Sequence, residues 1–77
     1  MENEMQLTLK AIRVNKGLTQ EEASNGIGVS VETLANYEKG NTFPDVPTLK
    51  RIEKFYGIEY KNINFLISKL QLNSKKR

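Results

Sequence analysis

The chain has 77 residues, a net charge of +3, and neither cysteine nor histidine. That length builds one small domain, and the missing thiol and imidazole exclude disulfides, nearly all zinc sites and most nucleophilic triads. No apolar run reaches membrane-spanning length and the opening MENEMQLT is too acidic and polar for a signal peptide, so the expected class is a cytoplasmic, non-enzymatic module without metal or cofactor.

Met5, Leu9 and Ile12 recur at i, i+4 and i+7, one face of a first helix that starts at either Asn3 or Thr8 and that Gly17 ends. Thr19-Gln20-Glu21-Glu22 then reads as a capping box, in which the Thr19 hydroxyl meets the amide of Glu22 and the Glu22 carboxylate reaches back. Leu18 is placed as a hydrophobic staple, and a second helix starts at residue 20. It enters EEASNGIGVS, which holds no large apolar residue before Ile27. Gly26 in its interior costs about 1 kcal/mol relative to Ala. Ser30 caps a third helix, VETLANYEKG, which Gly40 stops. Leu34 and Tyr37 share one face and Val31 extends that line by a turn, while Glu32, Ala35, Asn36 and Lys39 look the other way.

After the loop NTFP, Asp45 caps a fourth helix with Pro47 in its first turn, a buried stripe of Leu49, Ile52 and Tyr56, and Gly57 at its close. A fifth helix is expected over about residues 60 to 70, burying Ile63, Leu66 and Leu70, and no strand pattern is visible anywhere. The tail QLNSKKR is expected to fray. Lys75, Lys76 and Arg77 hold the whole net charge, since nine basic residues otherwise face nine acidic ones. Bulk basicity is thus a weak pointer to nucleic acid.

Pattern is more telling. The helix starts at Thr19 and Ser30 stand eleven residues apart with Gly28 between them, which is helix-turn-helix spacing. In such a unit the first helix crosses the DNA backbone and the second lies in the major groove. Many helical bundles share that spacing, but LTQEEASNGIGVSVETLANYEKGNTFP also resembles the lambda-repressor-like, Cro/Xre-type helix-turn-helix regulators. Twelve positions stand in register with their pattern: Leu18, Thr19, Gln20, Gly28, Val29, Ser30, Thr33, Leu34, Tyr37, Glu38, Gly40 and Pro44. The likeness covers about residues 5 to 67. Ala23 departs from it where Leu is usual, forgoing burial of roughly 2 kcal/mol. Ser24 replaces a small Ala, with its hydroxyl expected on the Gln20 carbonyl, and Glu53 replaces another Ala in the fourth helix.

The resemblance implies an all-α, five-helix lambda-repressor-like domain over residues 1–70, a basic tail over 71–77, and a helix-turn-helix formed by helices 2 and 3. It implies a prokaryotic, sequence-specific transcriptional regulator of phage or mobile-element repressor type. Such a regulator binds double-stranded DNA as a homodimer on a palindromic operator, with half-sites about one DNA turn apart. Neither a membrane nor a small-molecule ligand is implied. On this reading Val31 meets a thymine methyl, Glu32 accepts from cytosine N4, Asn36 pairs with adenine N6 and N7, and Ala35 leaves room for close approach. Glu32 equally suits the positive end of the helix dipole.

Gln20, Lys39, Asn41 and Thr42 are the implied phosphate contacts. Lys10 and Lys16 read as a solvated face, and Lys50, Arg51 and Lys54 stay open. Arg13 and Glu38 occupy positions that in related repressors form an ion pair tying helix 1 to the end of helix 3. Phe65, Ile67 and Leu72 fall off the buried stripe of the fifth helix, so they either face a dimer partner or fold back on the domain. Two other functions stay open: a protein-interaction module on the same fold, such as an antitoxin or anti-repressor, or the DNA-binding part of a longer ligand-sensing regulator. The acids Glu21, Glu22 and Glu32 lean toward the first of these.

Overall fold

A computed structural model describes residues 6–65. Four α-helices dominate it: α1 (Leu9–Asn15), α2 (Gln20–Ile27), α3 (Val31–Lys39) and α4 (Val46–Tyr56). Each begins where a short polar side chain takes an orphan amide. Thr8 accepts from the Ala11 amide, Thr19 from Glu22, Ser30 from Thr33 and Asp45 from Thr48. Of the two starts open for the first helix, the chain uses Thr8; Asn3 and Met5 lie outside the described residues. α1 closes in a Schellman turn, with the Leu18 amide on the Arg13 carbonyl at 3.1 Å and the Gly17 amide on Val14 at 2.9 Å. Among the described residues no helix is long and apolar enough to cross a membrane.

The core gathers Leu9 and Ile12 of α1, Ala23 and Ile27 of α2, Leu34 and Tyr37 of α3, and Ile52 and Tyr56 of α4, with Ile63 and Phe65 beyond the helices. Leu18, Val29, Leu49, Phe55 and Ile58 pack around it, half-buried. Val31 does not extend the buried line of α3; it is 42% exposed. Val31 is the first residue after the Ser30 cap, at the outer end of the helix.

Over its described part, residues 60–65, the expected fifth helix is not formed. Residues Tyr60–Asn62 form a single 3₁₀ turn and Ile63–Asn64 a short strand, β2, which pairs in parallel with β1 (Leu7–Thr8). The register is Leu7 with Ile63 and Thr8 with Asn64, and the Gln6 amide group donates to the Lys61 carbonyl at 2.7 Å. Two local features turn the chain away from a helix start. Glu59, at the cap position, makes no side-chain capping bond, and the Tyr60 amide is taken by the Glu53 carboxylate at 2.7 Å. Glu53, unusual at its position, therefore anchors this turn. The expectation of no strand fails for a related reason. The pair is two residues long and joins segments at opposite ends of the described chain, beyond the reach of any periodicity. Ile63 is buried as expected, but from a strand; Leu66 and Leu70 lie outside the described residues, as does the tail 71–77.

Candidate nucleic-acid interface

The unit formed by α2, the turn 28–30 and α3 is built from weak parts that are well braced. α2 carries Ala23 and Ser24 inward, both without appreciable exposure. Small side chains let the α3 backbone come close, and Leu34, itself fully buried, fills the space between the helices and the core. The Ser24 hydroxyl donates to the Glu21 carbonyl at 3.0 Å rather than to Gln20. Gly28 ends α2 at φ +95, where its amide and that of Val29 both reach the Ser24 carbonyl, at 2.8 and 3.0 Å. A side chain at that φ would be strained even though its Cβ would meet nothing tighter than Arg51 Nε at an ordinary contact distance of 3.6 Å. The helix therefore runs its full length to Ile27, and Ser30 starts α3 two residues past Gly28.

Three contacts from other elements hold α2, and sequence reasoning missed two of them. Arg51 of α4 donates Nε to the Ile27 carbonyl at 2.9 Å, capping the last turn of α2 with a positive charge. The Phe55 ring, also from α4, lies against the Cα of Gly26, so that a Cβ there would overlap its Cε1, Cζ and Cδ1 atoms. Gly26 is the place where a ring approaches the backbone, and Phe55 supplies from α4 the bulk that α2 lacks. A glycine inside a helix capped at its start was the available signal for close approach. Arg51 offered none, because a charge on an outer helix face is common.

The third brace is the Arg13–Glu38 pair. Nε of Arg13 donates to Oε2 at 2.7 Å and a terminal nitrogen to Oε1 at 3.2 Å, with the two side chains 11% and 4% exposed. The other terminal nitrogen of Arg13 donates to the Leu18 carbonyl at 2.8 Å, and Glu38 raises the guanidinium's already high pKa. The pair thus joins α1, the α1–α2 turn and α3. Gln20 belongs to the same network, since its Nε2 donates to Glu38 Oε1 at 3.0 Å. The first residue of α2 is accordingly held by a charge on α3, with its carbonyl oxygen and second N–H unaccounted for by that bond. Tyr56 sits near this charge: burial first, and then Glu38, push its phenol up to about 12. Its buried hydroxyl has no hydrogen-bond partner among the described residues.

The outward side of α3 presents Val31 and Glu32 exposed at its start, Ala35 and Asn36 half-buried one turn on, and Lys39 exposed at its end. Thr42 in the next loop is exposed and Asn41 is half-buried. The Asn41 side-chain amide donates to Asn36 Oδ1 at 3.2 Å, and its backbone N–H to the Asn36 carbonyl at 3.0 Å. At the beginning of α2, Gln20 reaches α3 through Glu38, the Glu22 carboxylate accepts from the Thr19 amide at 2.9 Å, and Glu21 is exposed.

Phe65 is folded into its own domain, 6% exposed, with its ring edge-on to Phe43 at 4.9 Å between centroids. It does not stand free for a partner; Ile67 and Leu72 lie outside the described residues. Phe43, 42% exposed, and Tyr60, 48% exposed, flank Phe65 and form the aromatic surface actually available on that side.

Against known proteins, the helix-turn-helix family model matches residues 9–61. The cryptic phage CTXphi transcriptional repressor RstR of Vibrio cholerae is 44% identical over 50 residues, 65% of this chain and 45% of that protein. An HTH-type transcriptional regulator of Methanocaldococcus jannaschii is 36% identical over 59 residues, 77% of this chain and 89% of its own length. The HTH-type transcriptional regulator ImmR of Bacillus subtilis is 30% identical over 67 residues, 87% of this chain and 50% of that protein. The chain thus spans about half the length of the phage repressor and of ImmR.

Proposed function

Because the chain belongs to the lambda-repressor-like, Cro/Xre-type helix-turn-helix family, we propose that it is a sequence-specific double-stranded DNA-binding regulator of transcription, a repressor of phage or mobile-element type. The observation that carries this reading is the geometry of α2 and α3. Both helices are capped at their starts and set against each other by the Gly28 turn, and the outer side of α3 is left without core contacts at Val31 and Glu32. A helix so presented fits the major groove. Val31, Glu32, Ala35 and Asn36 are the proposed base contacts, and Gln20, Lys39 and Thr42 the proposed phosphate contacts; the Asn41 side chain is bonded to Asn36 instead. Gln20 would serve through the atoms that its bond to Glu38 leaves over. Catalysis plays no part in this reading.

One reading helix spans few base pairs, so the proposed binding form is a homodimer on a palindromic operator. The surface proposed for it is the aromatic group Phe43 and Tyr60 beside Phe65, with Ile67 and Leu72 next in sequence. A second reading, a protein-binding antitoxin or anti-repressor, is favoured by the exposed acids Glu21 and Glu32 on the surface where phosphates would sit. Selection from a random duplex library separates the two. The DNA reading expects a palindromic consensus whose affinity falls steeply with salt. No enrichment, or binding indifferent to salt, favours the protein-binding module.

A further inference from the structure

Asn36 is the half-buried amide on the outward side of α3, and it is not alone there. The Asn41 side chain, from the loop after Gly40, donates to its Oδ1 at 3.2 Å, and the Asn41 backbone amide fixes that loop residue by bonding the Asn36 carbonyl at 3.0 Å. An asparagine carboxamide has two faces of opposite character, an oxygen that accepts and a nitrogen that donates, exchanged by a half-turn about its last torsion. With Oδ1 held by the Asn41 N–H, a half-turn of Asn36 alone would bring two donors together and break the bond, so the orientation of Asn36 is tied to that of Asn41. One lone pair of Oδ1 and both N–H groups of Nδ2 remain for a ligand. That arrangement matches adenine, which offers N7 as acceptor and N6–H₂ as donor in the major groove, and mismatches guanine, which offers two acceptors.

We infer that Asn41 is a positioning residue that locks the Asn36 carboxamide in the orientation selecting adenine over guanine. Asn41 acts through Asn36 rather than as an independent contact to phosphate. The inference rests on the reading of α3 as the base-reading helix, and it concerns specificity at one base pair rather than affinity for DNA.

The test begins with the duplex selected by the wild-type chain. Asn36→Ala identifies the base pair that Asn36 reads, as the position where preference flattens. At that position the wild type should favour adenine over guanine by roughly tenfold or more. In Asn41→Ala the ratio should fall to within about twofold while preferences elsewhere in the site persist. Asn41→Asp, nearly isosteric but without a donor, should lower the same ratio; any uniform loss from its added charge cancels in the ratio. Asn41→Ala should leave the ratio unchanged in an Asn36→Ala background. The inference is overturned if Asn41→Ala weakens all four bases equally, as loss of a phosphate contact would, or if its effect persists without Asn36. A selected site in which Asn36→Ala flattens no position also overturns it, while DNA binding itself stands. A wild-type chain that enriches no duplex overturns both.

Discussion

α2 and α4 lie against each other and are held in opposite ways. α4 brings its own apolar stripe, with Ile52 and Tyr56 buried and Leu49 and Phe55 half-buried, and would be recognised as a core helix in any context. α2 turns Ala23, Ser24 and Ile27 inward and has a glycine one residue before the last of them. Its order comes from its neighbours: Glu38 of α3 holds Gln20 at its start, Phe55 covers Gly26, and Arg51 caps Ile27 at its end. On the proposed function, a helix that crosses DNA closely while packing on the reading helix has little room for bulk. The difference teaches that such a helix can be lean because others hold it.

The largest effect should come from removing the brace shared most widely. Glu38→Ala leaves the Arg13 guanidinium buried without its carboxylate and releases Gln20, and should lower stability in urea denaturation by about 3–5 kcal/mol. A change within error would show that the pair is dispensable. Gly26→Ala sets two terms against each other. Helix propensity favours Ala by about 1 kcal/mol, while overpacking against Phe55 disfavours it by about 1–3 kcal/mol. A net loss is expected, and in a Phe55→Ala background the same substitution should become stabilising. If Gly26→Ala stabilises both backgrounds equally, the ring does not constrain the glycine.

Arg51→Ala should be milder, about 1 kcal/mol for a charge-assisted bond in a partly solvated setting, with faster amide exchange confined to the last turn of α2. Uniform acceleration across the domain would argue against a cap. The smallest effect belongs to the self-sufficient helix. Tyr56→Phe removes a buried hydroxyl without a partner among the described residues, so stability at neutral pH should hold or rise by up to about 1 kcal/mol. The phenol's ordinary pKa is 10.0 and its folded value about 12. Its contribution is therefore complete below pH 10 and lost as pH climbs from there through the folded value. Alkaline destabilisation should be weaker in the phenylalanine variant, as thermal midpoints measured across that range would show.

The four helices, and the caps of the last three, were legible in the sequence because capping is local: Thr19, Ser30 and Asp45 act within three residues of themselves. The outer residues of α3 were legible from the resemblance together with the helical period. What escaped was long-range or two-sided. Nothing near Arg51 points to a carbonyl 24 positions back in the chain. Gly26 looked like a weakness until the ring that occupies its missing Cβ was placed. The 3₁₀ turn at 60–62 and the strand pairing beyond it depend on Glu53 and on the first described residues, so an apolar spacing read as helix became a strand instead. Phe65 shows the same limit: it lies outside any helix and is buried, so its place relative to a helical stripe does not describe its surroundings.

The central claim is that the outward side of α3, set by a lean but braced α2, meets DNA. Titrating the isotopically labelled chain with its selected duplex and following backbone amide shifts tests it most directly. The account predicts that the largest perturbations fall on Gln20, Val31, Glu32, Asn36 and Asn41, and that they vanish with a scrambled duplex at moderate salt. Perturbations centred on Phe43, Tyr60 and the α4 surface at Lys50 and Lys54, with α3 unmoved, would contradict it.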